Sequence, residues 1–253
     1  MSGMFLEHRN LNGERVYETE MRHVYKLANS TAGASRACTA AFAPPDRWRC
    51  NFAQHAYAYT AAPIFVLNSA FDAWQSICIL ASELPPTFPN SSTAQNRAGC
   101  CAVDGWAACA SNPERCSRAQ LEPVNGYIAD FQTALRAAPA YRRAGNGAFV
   151  HSCHTHCEGQ SDEFFSIELQ GTTMASALSK WWRSDSSAAA AHTYIPCTFT
   201  FSGGATHNCN PTCCSEPNCY HERLAVEVSV TLPACPHEAH VQNTFGGEAV
   251  GRG

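Results

Sequence analysis

A chain of 253 residues with 45% hydrophobic and 15% charged content has ordinary globular composition and room for one large or two small domains. Its 17 basic and 21 acidic residues, a formal net charge of -4, leave no basic field for nucleic acid, and that class of partner is set aside. No apolar run approaches the roughly 20 residues of a membrane-spanning helix, and the opening MSGMFLEHRN has neither the charged start nor the apolar middle of an export leader.

Tyr17, Met21, Val24, Tyr25 and Ala28 recur at helical spacing and predict an amphipathic helix over residues 16–28, ended by Asn29 to Gly33. Arg36 to Asn51 carries a Pro-Pro break and two cysteines twelve apart, Cys38 and Cys50, the pattern of a disulfide-pinned loop. Pro63 then leads into PIFVLNSAFDAWQ, residues 63–75. That apolar run ends in Asp72 between Phe71 and Trp74, where a buried strand would deliver a carboxylate. Residues 83–124, rich in Pro, Ser, Asn and Cys, lack periodicity and are expected to form a long surface loop. Ile128, Phe131, Leu135 and Ala138 predict a helix from Tyr127 to about Arg143, stopped by Ala144-Gly145-Asn146-Gly147. Gly147 to Val150 is a second buried strand, and SCHTHC after it puts His154 and His156 just beyond its end. Thr172 is the expected N-cap of a helix through Met174, Leu178, Trp181 and Trp182, with both tryptophans expected in the core. Past Cys197 the chain turns Gly-, Cys-, His- and Pro-rich, and residues 224–232, LAVEVSVTL, alternate like a strand.

Fifteen cysteines are hard to keep reduced and point to an oxidising compartment. The acceptor triplets Asn29-Ser30-Thr31 and Asn90-Ser91-Ser92 fit an exported protein but also arise by chance. The expectation is a true amino terminus, with its leader, upstream of Met1. Histidine and cysteine crowd residues 153–157, 209–221 and 235–240, so zinc is the rival to disulfides. Structural zinc favours paired CxxC knuckles; no two cysteines here are three apart, so disulfides are preferred and neither metal nor cofactor is expected. An acid followed by a histidine, each just past a strand, is half of a nucleophilic triad. The serine elbow GxSxG that would complete it is absent from the sequence. Its nearest approach, Gly33-Ala34-Ser35-Arg36-Ala37, ends in Ala and is expected to precede no helix.

Seven pieces then occur in one order: SGMFLE (2–7), ACTAAFAPPDRWRC (37–50), PIFVLNSAFDAWQ (63–75), DGWAAC with Cys116 (104–116), GAFVHSCHTHC (147–157), Lys180-Trp181-Trp182, and CNPTC (209–213). In them the chain resembles the carboxy-terminal part of the pectin acetylesterase family, whose members include plant cell-wall enzymes and the animal carboxylesterase Notum. The resemblance implies the carboxy-terminal portion of an α/β-hydrolase sheet over residues 1–200, with disulfide-rich loops, and a Cys/His/Gly-rich tail extension over 201–253. It puts the triad acid on Asp72 and the base on His156, with His154 in the same turn as the other candidate. It implies the pairs Cys38–Cys50 and Cys109–Cys116. Cys153, Cys157, Cys197, Cys209 and Cys213 also have family counterparts, without assigned partners. In the family the segment like SGMFLE follows the nucleophile, so the serine is expected to be missing and the chain alone inactive. The implied activity is a secreted, monomeric carboxylesterase that removes acyl groups, acetyl foremost, from a pectin-like polysaccharide or an acylated glycoconjugate. The competing reading is a non-catalytic extracellular binding or scaffold protein on part of the same fold. Loss of early strands would expose a sheet edge and apolar faces, so poor solubility in isolation is expected.

Overall fold

In the computed structural model, which describes residues 4–83, 102–160, 162–184, 191–194 and Cys213, the two apolar runs at 63–75 and 147–150 become neighbouring strands. They are β1, Phe65–Ser69, and β2, Gly147–His151, paired in parallel from Phe65↔Gly147 to Ser69↔His151. Two short strands, β3 (Glu168–Leu169) and β4 (Thr172–Thr173), form an antiparallel hairpin. The last, β5, Ala191–Tyr194, pairs in parallel with the far side of β2, giving the order β1-β2-β5. Parallel neighbours require long crossovers, usually helical. The described helices are α1 Val16–Leu27, α2 Arg36–Ala41, α3 Ala53–Ala56, α4 Ala73–Gln75, α5 Ala107–Ser111, α6 Arg118–Ala137, α7 Glu163–Ser166 and α8 Met174–Arg183.

Successive strand residues face opposite sides, and here both sides are covered. Ala148 and Val150 of β2 join a cluster with Leu121, Val124, Ile128, Phe131 and Leu135 of α6, whereas Phe149 joins Met174 and Ala177 of α8. A strand buried on both faces reads as a continuous apolar run. Asn146 secures the entry to both strands: its Oδ1 accepts from Ile64 N at 2.9 Å and its Nδ2 donates to Ala140 O at 2.7 Å.

Several elements differ from the sequence expectation. The supposed loop over 83–124 contains α5 and the first turns of α6. That helix starts at Arg118, not Tyr127, because Ser117 and Gln120 form a capping box. It absorbs Pro123 and ends at Ala137, and a separate 3₁₀ turn, Pro139–Arg142, follows. Arg36 to Asn51 holds α2 and a 3₁₀ helix, Pro44–Asn51, joined by the Cys38–Cys50 disulfide. Thr173, not Thr172, caps α8, its Oγ1 accepting from Ser176 N at 3.2 Å. The tryptophan pair is split: Trp181 donates from Nε1 to Gly145 O at 2.7 Å, while Trp182 is 78% exposed. Val24, placed on the apolar face of α1, is exposed as well. Cys109–Cys116 forms as the resemblance implied, and Cys153 pairs with Cys213. The strand expected at 224–232 and the rest of the tail, Cys213 apart, lie outside the described residues.

Asn146→Ala would orphan one backbone donor and one acceptor beside the β1–β2 seam. Urea denaturation should show a loss of about 2 kcal/mol; a loss under about 0.5 kcal/mol would mean that water or repacking satisfies both groups.

Candidate active site

Because Ser69 lies opposite His151 in the parallel register, the chain leaves β1 and β2 at the same end of the sheet. Two short loops therefore start side by side, and backbone bonds lace them together. Ala70 N donates to His151 O at 2.9 Å and Ala73 N to Thr155 O at 3.0 Å, while Ser69 Oγ donates to Cys153 O. The Cys153–Cys213 disulfide pins the second loop from outside.

Asp72 closes the first loop as the N-cap of α4. Its Oδ1 accepts from Gln75 N at 2.9 Å, and its backbone carbonyl accepts from Ser76 Oγ at 3.0 Å. Aspartate is favoured there because its side chain satisfies an N–H that the first helical turn leaves unpaired. The residue is 1% exposed, so the carboxylate is fixed and dry. Its second oxygen, Oδ2, receives His156 Nδ1 at 2.9 Å. That bond to Asp72 raises the His156 pKa above its ordinary value, against the opposing effect of burial. Bonding at Nδ1 commits that nitrogen to the carboxylate and makes Nε2 the other titrating position of the ring. Phe5 and Trp74, 4.9 Å apart, each have their rings 6.2 Å from the imidazole and within 30° of its plane. They form an aromatic surround to an otherwise partly exposed imidazole.

His154, two residues earlier, lies in a different environment. Its Nε2 is buried with no hydrogen-bond partner among the described residues. Burial lowers its pKa to about 4, partly offset by a bond to the backbone of Ala110. The structure thus brings Asp72 to His156 and not to His154. Ser35 does precede a helix, contrary to expectation, but its hydroxyl serves as the cap of α2, accepting from Cys38 N at 3.4 Å and donating to Tyr59 O at 3.5 Å. Of the zinc-like cluster at 153–157, Cys153 is spent on a disulfide and His156 on Asp72. Among the described residues no group of three His, Cys, Asp or Glu is placed to hold a metal. None of the described helices is long and apolar enough to cross a membrane.

Sequence reasoning missed two supports. Gln75 is buried, and its Oε1 accepts from Leu6 N at 3.3 Å and Tyr127 Oη at 2.7 Å. That ties the segment before α1 to the acid turn; the Asp72-x-x-Gln75 spacing of a capping box was its signal. The other is a buried contact between His151 and Glu158. An apolar depression lined by Met4, Ala56, Tyr57, Ile64 and Val66 runs along β1 and includes neither Asp72 nor His156. Among the described residues β1 is paired on one side only.

Comparison with known proteins bears on the family and the fold. A family model described as pectinacetylesterase matches residues 1–202. Pectin acetylesterase 11 of Arabidopsis thaliana is 30% identical over 216 residues, 84% of this chain and 47% of that protein. Pectin acetylesterase 7 of the same plant is 28% identical over 219 residues, with the same shares. Among solved structures, the Wnt deacylase Notum from Drosophila superposes with a TM-score of 0.56 at 21% identity, covering 84% of this chain and 47% of that one. At that identity the likeness establishes the fold, an α/β-hydrolase sheet of which this chain carries a part. The chain spans about half the length of the curated relatives it matches.

The two histidines should titrate on opposite sides of the ordinary value of 6.5, His156 above it and His154 at about 4, in an NMR pH titration of the side chains. A raised folded pKa means that the Asp72–His156 pair contributes stability in full below the unfolded value and loses it as pH rises through the folded one. The stability gap between the chain and its Asp72→Asn variant should therefore be wider in mildly acidic than in alkaline solution. A His156 midpoint at or below 6.5 would contradict the geometry.

Proposed function

Since the chain belongs to the pectinacetylesterase family, we propose that Asp72 and His156 are the acid and base of a Ser-Asp-His triad. The reaction proposed is hydrolysis of carboxylic esters, removing acyl groups, acetyl foremost, from an extracellular polysaccharide. The observation that carries the reading is the 2.9 Å bond from His156 Nδ1 to a buried Asp72 at the carboxyl ends of two adjacent parallel strands, where open α/β sheets bind their ligands.

In this scheme a serine hydroxyl attacks the ester carbonyl while its proton passes to His156 Nε2. Asp72 fixes the tautomer and stabilises the imidazolium. His156 then gives the proton to the sugar oxygen as its bond to the acyl carbon breaks; water, deprotonated by the same nitrogen, attacks the acyl-enzyme, and that proton passes to the serine oxygen as the free acid leaves. The sequence contains no GxSxG, so the serine and the oxyanion amides are proposed to come from polypeptide outside these residues. The chain by itself is proposed to be inactive. Acetyl is preferred over a long acyl chain because the curated relatives at 28–30% identity are named pectin acetylesterases, while the Notum structure, at 21%, shows the fold alone. Disulfides at Cys38–Cys50, Cys109–Cys116 and Cys153–Cys213 support an exported, oxidising location. The missing serine motif favours one other reading, an inactive scaffold. An in-frame GxSxG immediately upstream in the gene supports the enzyme, and a stop codon there supports the scaffold.

In a polypeptide that includes the nucleophile, Asp72→Asn should lower kcat on acetylated pectin by about 10⁴. His156→Ala should abolish turnover, whereas His154→Ala should retain it in any folded preparation. Loss in His154→Ala with survival in His156→Ala would reverse the assignment of the base. Substantial serine-directed esterase activity in the 253-residue chain would refute its proposed inactivity.

A further inference from the structure

His156 sits on a loop whose two ends meet. His151, the last residue of β2, is 0% exposed, and Glu158, just past the loop, is 2% exposed. His151 Nδ1 accepts from Cys153 N at 3.2 Å, so its proton resides on Nε2. That nitrogen faces Glu158 Oε1 at 3.3 Å, a buried polar contact at the two ends of the loop. Buried carboxylates are costly unless paired, and nothing in the acid–base chemistry of Asp72 and His156 requires a second one here. We propose that Glu158 is a positioning residue for His156, a second negative charge that clasps the histidine loop through His151 and favours the imidazolium formed during turnover.

The placement supports this in two ways. Only Cys157 separates Glu158 from His156, and it takes a left-handed turn, φ 63°, that folds the chain back so that Glu158 reaches His151. Burial pushes the Glu158 carboxyl up, but its contact with His151, with a further contribution from His156, holds it below the ordinary carboxylate value. It therefore stays ionised where His156 exchanges its proton. Among the described residues, Asp72 from the turn after β1 and Glu158 from its own loop both raise the His156 pKa, and the positive charge of the chain's amino terminus opposes them. The neighbouring rings of Phe5 and Trp74 carry no charge. Glu158 thus works in the same sense as Asp72, from the loop rather than from the acid turn.

The inference rests on His156 being the base, but its test needs no turnover. The His156 side chain is titrated by NMR in the full 253-residue chain and in Glu158→Gln and Glu158→Asp, with folding checked by circular dichroism. The proposal expects a lower His156 midpoint in the Gln variant and recovery towards the original in the Asp variant. An unchanged midpoint in a folded Gln variant overturns it. Should the Gln variant fail to fold, the carboxyl carbon of Glu158 is titrated in the unmodified chain. Ionisation complete before His156 begins to titrate supports the proposal; a carboxyl still protonated in that range overturns it. Either outcome leaves the assignment of His156 as base to be judged by the esterase assays.

Discussion

The parallel pairing of β1 with β2 is the constraint from which the site follows. Setting Ser69 opposite His151 brings two loops, widely separated in sequence, out of the same end of the sheet. A slip of one residue would turn every side chain of β1 to the opposite face. Ala148 and Val150 face the α6 cluster while Phe149 faces α8, so such a slip would mismatch two apolar layers at once. Register is thus held by burial on both faces. The hydrogen bonds between the loops, Ala70 N to His151 O and Ala73 N to Thr155 O, refine a geometry that packing has already selected.

Within the site, few groups serve a single purpose. One oxygen of Asp72 caps α4 and the other holds His156. Gln75 supplies the N–H for the cap, and its side chain anchors Leu6 and Tyr127. A buried carboxylate must have its lone pairs satisfied, and the shared cap does this for one oxygen while the other holds the imidazole. The same arrangement stiffens the acid turn from below, since Tyr127 belongs to the long helix on the core side.

The large features were legible because they rest on long patterns. Both strands were visible as apolar runs; β2 is covered on both faces, and β1 beside it packs Val66 and Leu67 against opposite clusters. Asp72 and His156 were identifiable from their position after those runs and from a family resemblance. What escaped the sequence depended on side-chain bonds or on small elements. The start of α6 was hidden by Pro123 and Gly126 in its first turns, and the deciding signal was the pair Ser117 and Gln120. α5 has five residues, too few for helical periodicity to emerge. Trp182 matched the spacing of a core face yet points to solvent, because helical spacing cannot say where neighbouring elements stop. Glu158 lay in a polar stretch, and its partner was concealed inside a strand.

Two histidines two residues apart show why a motif such as CHTHC cannot assign chemistry by itself. Both have the same side chain and leave the same strand. His154 places its Nε2 in a dry site with no acidic partner among the described residues, and an imidazole held near a pKa of 4 is neutral and reluctant to accept a proton at neutral pH. His156 meets, at Nδ1, a carboxylate that raises its basicity. General-base catalysis works best when the pKa lies near the operating pH, so environment separates the two where sequence does not. On the proposed reading, a proton taken from serine is stabilised on His156 by the fixed negative charge of Asp72 and by that of Glu158 behind the loop, so the fold prepares in advance for the charge that the reaction creates.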